Sequence, residues 1–335
     1  MSLELVVAAA LFAGVIIYAV LAGADFGTGF YDLTAGGAER GAAIRTRIDH
    51  SIGPVWEANH VWLIYVLVVW WTGFPRAFAD VMTTLFVPLL LALLGIVLRG
   101  ASFAFRKYAD TLSRARLFGV VFASSSIVTP FFFGTVAGGI ASGRVPADGY
   151  GDLWTSWINP TSLFGGVIAV GTCAFLAGVF LTADAAGADE TELTEVLRRR
   201  SLIVGVVTGA VVFAGLVPVM HDAPTLSDGL LTTGAPLIVL SFLAGVASLL
   251  FLLRRAFALA RVASVIAVAS VVAGWGAGQY PWFLVDELTV SEAAGADATL
   301  QALIVVVVLA VLLVLPSLVL LIRITQRQNQ ETATN

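Results

Sequence analysis

Nine apolar runs, each near the length of a membrane crossing, divide this 335-residue chain. They extend from Leu3 to Leu33, Pro54 to Thr72, Phe78 to Leu98, Leu117 to Ile140, Thr161 to Ala183, Leu202 to Met220, Pro236 to Leu253, Val262 to Gly278 and Leu300 to Ile322. A helix needs about 20 apolar residues to cross a hydrocarbon core about 30 Å thick. Only helices and closed barrels satisfy every backbone polar group inside lipid. Barrel strands alternate apolar with polar residues, and these runs do not, so they read as helices. Only 12% of residues are charged, against about 25% in a soluble domain. The expected fold is an all-α integral membrane protein with nine transmembrane helices.

Lysine and arginine set the expected orientation. Arg40, Arg45 and Arg47 follow the first run, and Arg99, Arg106, Lys107, Arg114 and Arg116 follow the third. Arg198, Arg199 and Arg200 follow the fifth, Arg254, Arg255 and Arg261 the seventh, and Arg323 and Arg327 the ninth. The opposite side carries only Arg76 and Arg144 of the 18 basic residues. Basic residues collect on the cytoplasmic side of membrane proteins, so the N-terminus is expected outside and the C-terminus in the cytoplasm. An odd number of spans fits this split. The first run lacks a basic leader and is too long for a signal peptide, so it reads as a retained span. One membrane domain over residues 1–335 is expected, with four-helix groups at 1–140 and 161–278, a ninth helix at 300–323 and a cytoplasmic tail at 324–335.

Two acids break the apolar pattern. Asp25 lies in Ala22-Gly-Ala-Asp-Phe-Gly-Thr-Gly29, and Glu57 in Gly53-Pro-Val-Trp-Glu-Ala-Asn-His-Val-Trp-Leu-Ile64. Carboxyl groups inside a membrane are costly, rare and commonly functional. At about 1.5 Å per residue, Asp25 falls roughly 12 Å from the inner end of its span, and Glu57 roughly 5 to 12 Å from the inner end of the next. The two acids therefore share a depth on consecutive antiparallel helices. Gly23, Gly27 and Gly29 leave room for a close neighbour or for water. Pro54 suits a helix start, which places Glu57 in the first turn, where the helix dipole favours a carboxylate. Trp56, Asn59 and His60 flank it. One reading is a proton path fed from the cytoplasm; the other is that each acid pairs with Arg99, His60 or a backbone group and serves packing.

Other chemistries find less support. A bis-histidine haem site needs two histidines at one depth on facing helices. His50 and His60 share one region, and His221 belongs to the outer end of the sixth run. The single cysteine, Cys173, excludes a cysteine-rich metal site in this chain, and no His/Cys cluster suits zinc. No basic patch interleaved with aromatics points to nucleic acid. A secondary transporter would show broken helices in inverted repeats. The glycine-rich end of the first run has no inverted counterpart. The hydroxyls of Ser124, Ser125, Ser126 and Thr129 are read as bonding back to their own helix.

The segment Gly23-Ala-Asp-Phe-Gly-Thr-Gly29 resembles the Gly-x-Asp-Leu/Phe-Gly-x-Gly element of subunit II of cytochrome bd quinol oxidases. The segment from Gly53 to Ile64 resembles that family's Pro-x-Trp-Asp/Glu-x-Asn-x-x-Trp-Leu element. Phe74-Pro75 and Leu98-Arg-Gly-Ala-Ser-Phe-Ala-Phe-Arg106 match further elements in order and spacing. Glu57-Ala-Asn-His60 replaces the commoner Asp-Gly-Asn and resembles the cyanide-insensitive branch.

The resemblance implies a subunit of a membrane enzyme that passes electrons from quinol to oxygen, in a prokaryotic cell membrane. It implies a partner, subunit I, that carries haem b558, haem b595, haem d and the quinol site, and leaves room for small single-span accessory subunits. No redox cofactor or metal is then expected in this chain. Asp25 and Glu57 inherit a role in leading cytoplasmic protons to the oxygen-reducing haem. Trp56, Asn59, His60 and Arg99 inherit supporting positions.

Overall fold

A computed structural model describes residues 2–37, 39–52, 56–106, 111–147 and 149–334. The side chains at 52, 56–58, 112, 115, 314, 315, 318, 319 and 321–334 lie outside that description. The chain runs through α1 (Leu3–Phe26), α2 (Thr28–Thr34), α3 (Ala42–Ile52), α4 (Trp56–Gly73), α5 (Pro75–Thr84) and α6 (Phe86–Arg106). It continues through α7 (Leu112–Ala141), α8 (Pro160–Gly187), α9 (Thr191–Ala214), α10 (Leu216–Asp222), α11 (Pro224–Leu231), α12 (Ala235–Leu253) and α13 (Phe257–Gln279). A short antiparallel hairpin, β1 (Trp282–Leu284) and β2 (Leu288–Thr289), then leads to α14 (Val290–Ala293) and α15 (Asp297–Thr334).

The described parts of the apolar runs are mainly helical. Among the described residues, seven helical stretches are long and apolar enough to cross a membrane: 3–34, 86–106, 116–141, 160–187, 191–222, 235–253 and 257–279. A further candidate is 59–73 joined to α5 across a 116° bend, and α15 begins with a shorter apolar stretch, Asp297–Leu313.

The third run needs correction at its start. It was expected to begin at Phe78, but α6 begins at Phe86, and residues 75–84 form the separate helix α5. Pro75 occupies the first turn of α5, where its missing N–H costs nothing. Leu85 then leaves helical geometry, with φ −104° and ψ 26°. Helix α5 is amphipathic and turns Ala77, Asp80, Val81 and Thr84 inward, so the chain crosses over the bundle end before re-entering it.

Local chemistry marks the starts of α7 and α8. The Thr111 side chain accepts from the Arg114 N–H at the head of α7. Asn159 accepts from the Ser162 N–H at the head of α8, with Pro160 in the first turn. These side chains satisfy amides that a helix start leaves without partners.

Helix α8 lies at the centre. Every residue from Cys173 to Val179 is buried, as expected of a helix apolar on all sides and surrounded by others. It packs against α7, α9, α1 and α13, while α1 also packs against α4, α13 and α15. The backbones of α1 and α8 approach closely at Gly27, between α1 and α2. A Cβ there would stand 1.9 Å from the Cys173 carbonyl oxygen, so only glycine lets the two backbones meet.

Ion pairs tie the ends of the bundle. At one end Arg47 of α3 pairs with Glu190 ahead of α9, Arg255 pairs with Glu195, and Arg261 pairs with Asp184. At the opposite end Arg144 pairs with Asp222, whose carboxylate also accepts the Thr161 N–H of α8. The hairpin and the start of α1 share this second end, where Ser291 donates to Glu4.

Candidate functional site: a buried ion pair joining the first span to its neighbours

Asp25 on α1 and Arg99 on α6 form a bidentate ion pair inside the bundle. Arg99 Nη2 donates to Asp25 Oδ1 at 2.7 Å and Nη1 to Oδ2 at 3.0 Å. Nη2 also donates to the Asp25 carbonyl at 3.2 Å, and Nε to Ser126 Oγ of α7 at 2.9 Å. Arg99 is 1% exposed and Asp25 7%. Two rings complete the enclosure, with the Arg99 guanidinium carbon 5.0 Å from the Phe26 centroid and 4.9 Å from that of Phe122. A flat guanidinium suits this arrangement, offering a fork to the carboxylate and its faces to aromatic rings.

Each partner is positioned by its own helix. Thr28 Oγ1 donates to the Asp25 carbonyl at 2.7 Å. Ser126 Oγ donates to the Phe122 carbonyl at 2.6 Å, which leaves its lone pairs toward Arg99. Ser125 and Thr129 likewise bond to carbonyls of their own helix, as expected. The sequence reading missed that Ser126 also receives a bond from Arg99.

Helix α4 closes one side of the pair. Asn59 is 1% exposed, and its Nδ2 donates to the Leu21 carbonyl at 3.4 Å, one turn before Asp25. His60 is half-buried and within electrostatic range of both Asp25 and Arg99. Of the expected site residues, Asp25, Arg99, Asn59 and His60 are thus brought together. Trp56 and Glu57 belong to the first turn of α4, but their side chains lie outside the described residues.

A second buried acid went unnoticed in the sequence. Asp32 of α2 is 4% exposed and accepts from Arg45 Nε at 2.7 Å and Arg106 Nη1 at 3.0 Å. Arg45 also donates to the carbonyls of Gly36 and Gly37. The signal was present as spacing. Asp32 follows Asp25 by seven residues and Arg106 follows Arg99 by seven, which is two turns of helix on each side. The two acids and two arginines form successive rungs between α1–α2 and α6, running from the bundle interior to the end that bears α3.

The three histidines lie on three different helices. His50 is on α3, where its Nδ1 contacts the Thr46 carbonyl, and His60 is on α4. His221 is on α10, at the far end of the stretch that begins beside α3. Among the described residues, no group of three or more His, Cys, Asp or Glu side chains is placed to hold a metal ion.

Fold and site together define a multi-pass helical membrane protein built around a buried carboxylate–guanidinium pair. Residues 3–325 match the family of cytochrome bd terminal oxidase subunit II, and the chain belongs to that family. It is 28% identical to cytochrome bd ubiquinol oxidase subunit 2 of Bacillus subtilis, over 71% of this chain and 69% of the relative. It is 27% identical to cytochrome bd-I ubiquinol oxidase subunit 2 of Escherichia coli K12, over 46% of this chain and 41% of that protein. The fold superposes on a chain of the bd oxidase from Geobacillus thermodenitrificans with a TM-score of 0.77. That match covers 97% of this chain and 98% of the other, at 25% identity. The chain is accordingly a multi-pass protein of the bacterial cytoplasmic membrane and a member of an oxidoreductase complex.

Proposed function

We propose that this chain pairs with the haem-bearing subunit I of a quinol oxidase, stabilises it, and helps conduct cytoplasmic protons toward the oxygen-reducing site. The observation that carries this reading is a carboxylate buried inside a bundle of apolar helices and held by Arg99, with Asn59 and His60 on the neighbouring helix. Haem b558, haem b595 and haem d in the partner supply electron transfer and oxygen reduction, with quinol as reductant. Small single-span subunits, lipids and quinone complete the expected partners.

The chain is read as crossing the membrane nine times, with the N-terminus outside and the α3 end in the cytoplasm. Residues 1–140 and 161–278 form its two four-helix groups, 300–323 the ninth helix and 324–335 the cytoplasmic tail. Glu57 lies near the cytoplasmic end of α4 and receives protons first. Asp25 and Arg99 then hold a fixed dipole deeper in the bundle, where Asn59 and His60 offer hydrogen-bonding groups. Oxygen reduction consumes one proton for each electron. Drawing those protons from the cytoplasm while quinol releases its own outside generates a gradient without a pump.

One observation favours a second role for the same residues. Nε, Nη1 and Nη2 of Arg99 are all engaged by Asp25 and Ser126, which fits an anchor between α1, α6 and α7. The pairing itself is tested by purifying the complex through a tag on this chain. A larger co-purifying subunit with reduced-state bands of b- and d-type haem is expected. A colourless, solitary chain from gently solubilised membranes contradicts the reading.

A further inference from the structure

Helices α12 and α13 flank an open furrow that the proton path does not use. Its cavity measures about 360 Å³ and is walled by apolar side chains. Alanines make it, because Ala244 and Ala247 on α12 and Ala263 on α13 leave a low floor. Leu243, Leu259 and Val262 stand as its rim, each more than half exposed. The furrow cannot close by sliding the helices together. Ser241 Oγ donates to the Ala267 carbonyl and Ser248 Oγ to the Ala260 carbonyl, each at 2.9 Å, and these bonds set the spacing of the pair.

The length and the ends of the furrow point to its occupant. It runs from Leu240 to Phe251 along α12, which at about 1.5 Å per residue is roughly 16 Å. That is half of a hydrocarbon core about 30 Å thick, or one leaflet. At the Phe251 end the chain turns through Arg254 and Arg255 into α13. Arg255 is committed to Glu195 at 3.0 Å. Arg254 is exposed, and among the described residues no ion pair or side-chain hydrogen bond holds its guanidinium. An apolar slot one leaflet deep, ending at an uncommitted cation, matches one acyl chain and the phosphate of an anionic phospholipid.

We infer that the α12–α13 furrow is a binding site for an anionic phospholipid of the cytoplasmic leaflet, with Arg254 as its headgroup contact. The inference uses the orientation proposed above and is independent of the proton path. A cation near the membrane surface contributes about fivefold in affinity for an anionic lipid.

The test is native mass spectrometry of the intact oxidase complex, washed in detergent containing phosphatidylglycerol or phosphatidylcholine. The wild-type complex is expected to retain phosphatidylglycerol in preference. Arg254→Gln changes an exposed side chain and lowers phosphatidylglycerol retention about fivefold, with phosphatidylcholine unchanged. Ala247→Phe fills the furrow and removes retention of both lipids. Equal retention of the two lipids by wild type overturns the inference, as does unchanged phosphatidylglycerol binding in Arg254→Gln. A bound quinone that disappears in Ala247→Phe, in place of phospholipid, also overturns it.

Discussion

Asp25 and Arg99 meet through two parallel hydrogen bonds, of 2.7 and 3.0 Å, although 74 residues separate them in the chain. The pair fastens the glycine-rich end of the first span to α6, and Ser126 extends the fastening to α7. A buried pair like this is not by itself a large source of stability, since desolvation offsets much of the attraction. Losing one partner is costly, however, because the other charge is then stranded.

Arg99→Met strands the Asp25 carboxylate. The expected loss is about 3–5 kcal/mol, read as a lower unfolding temperature of the detergent-solubilised complex. Combining it with Asp25→Leu removes both charges and should restore most of the stability, because a buried pair replaced by apolar side chains of similar volume is often neutral. A double variant as unstable as Arg99→Met argues against the pair as the source of the loss.

Gly27→Ala places a methyl group against the Cys173 carbonyl, where 1.9 Å is available. The central helix α8 must shift away from α1, at a cost of about 1–3 kcal/mol or more. Reduced yield of assembled complex is the expected result. Gly37→Ala is the control, since nothing lies within 4 Å of a Cβ there. Equal yields from the two variants would show that α1 and α8 are not in backbone contact.

Asp32→Asn weakens the outer rung. Arg45 and Arg106 are partly exposed, so the effect on global stability should stay near the 1 kcal/mol scale of accessible ion pairs. The consequence is local, because Arg45 also holds the Gly36 and Gly37 carbonyls. Faster tryptic cleavage at the exposed Arg40 is expected in the detergent-solubilised complex. An unchanged cleavage rate would show that Asp32 does not hold this loop.

Much of this architecture is legible in the sequence, for identifiable reasons. Lipid demands long apolar helices, so most runs mark helical stretches, and a carboxylate among them stands out as Asp25 does. The sequence left open whether Asp25 pairs with Arg99, His60 or a backbone group, because helix rotation decides that and apolar runs encode rotation weakly. Asp32 escaped notice because it lies at the end of its span, where acids are common, although its seven-residue spacing from Asp25 matches that of Arg106 from Arg99. Part of the crossing helix α5 was merged with α6 because Phe78, Val81 and Met82 extend the apolar run across the break at Leu85.

The most direct test of the proton-path reading is oxygen consumption by the Asp25→Leu/Arg99→Met complex, with the haem bands recorded on the same sample. The double variant strands no charge and is expected to assemble, so slow turnover with intact haem bands is not a failure of assembly. The reading predicts an assembled complex with intact haem bands and oxygen reduction slowed by about 100-fold, the scale on which removing one preorganised electrostatic group slows a reaction. Full turnover in that complex would contradict it and leave the Asp25–Arg99 pair as an anchor alone.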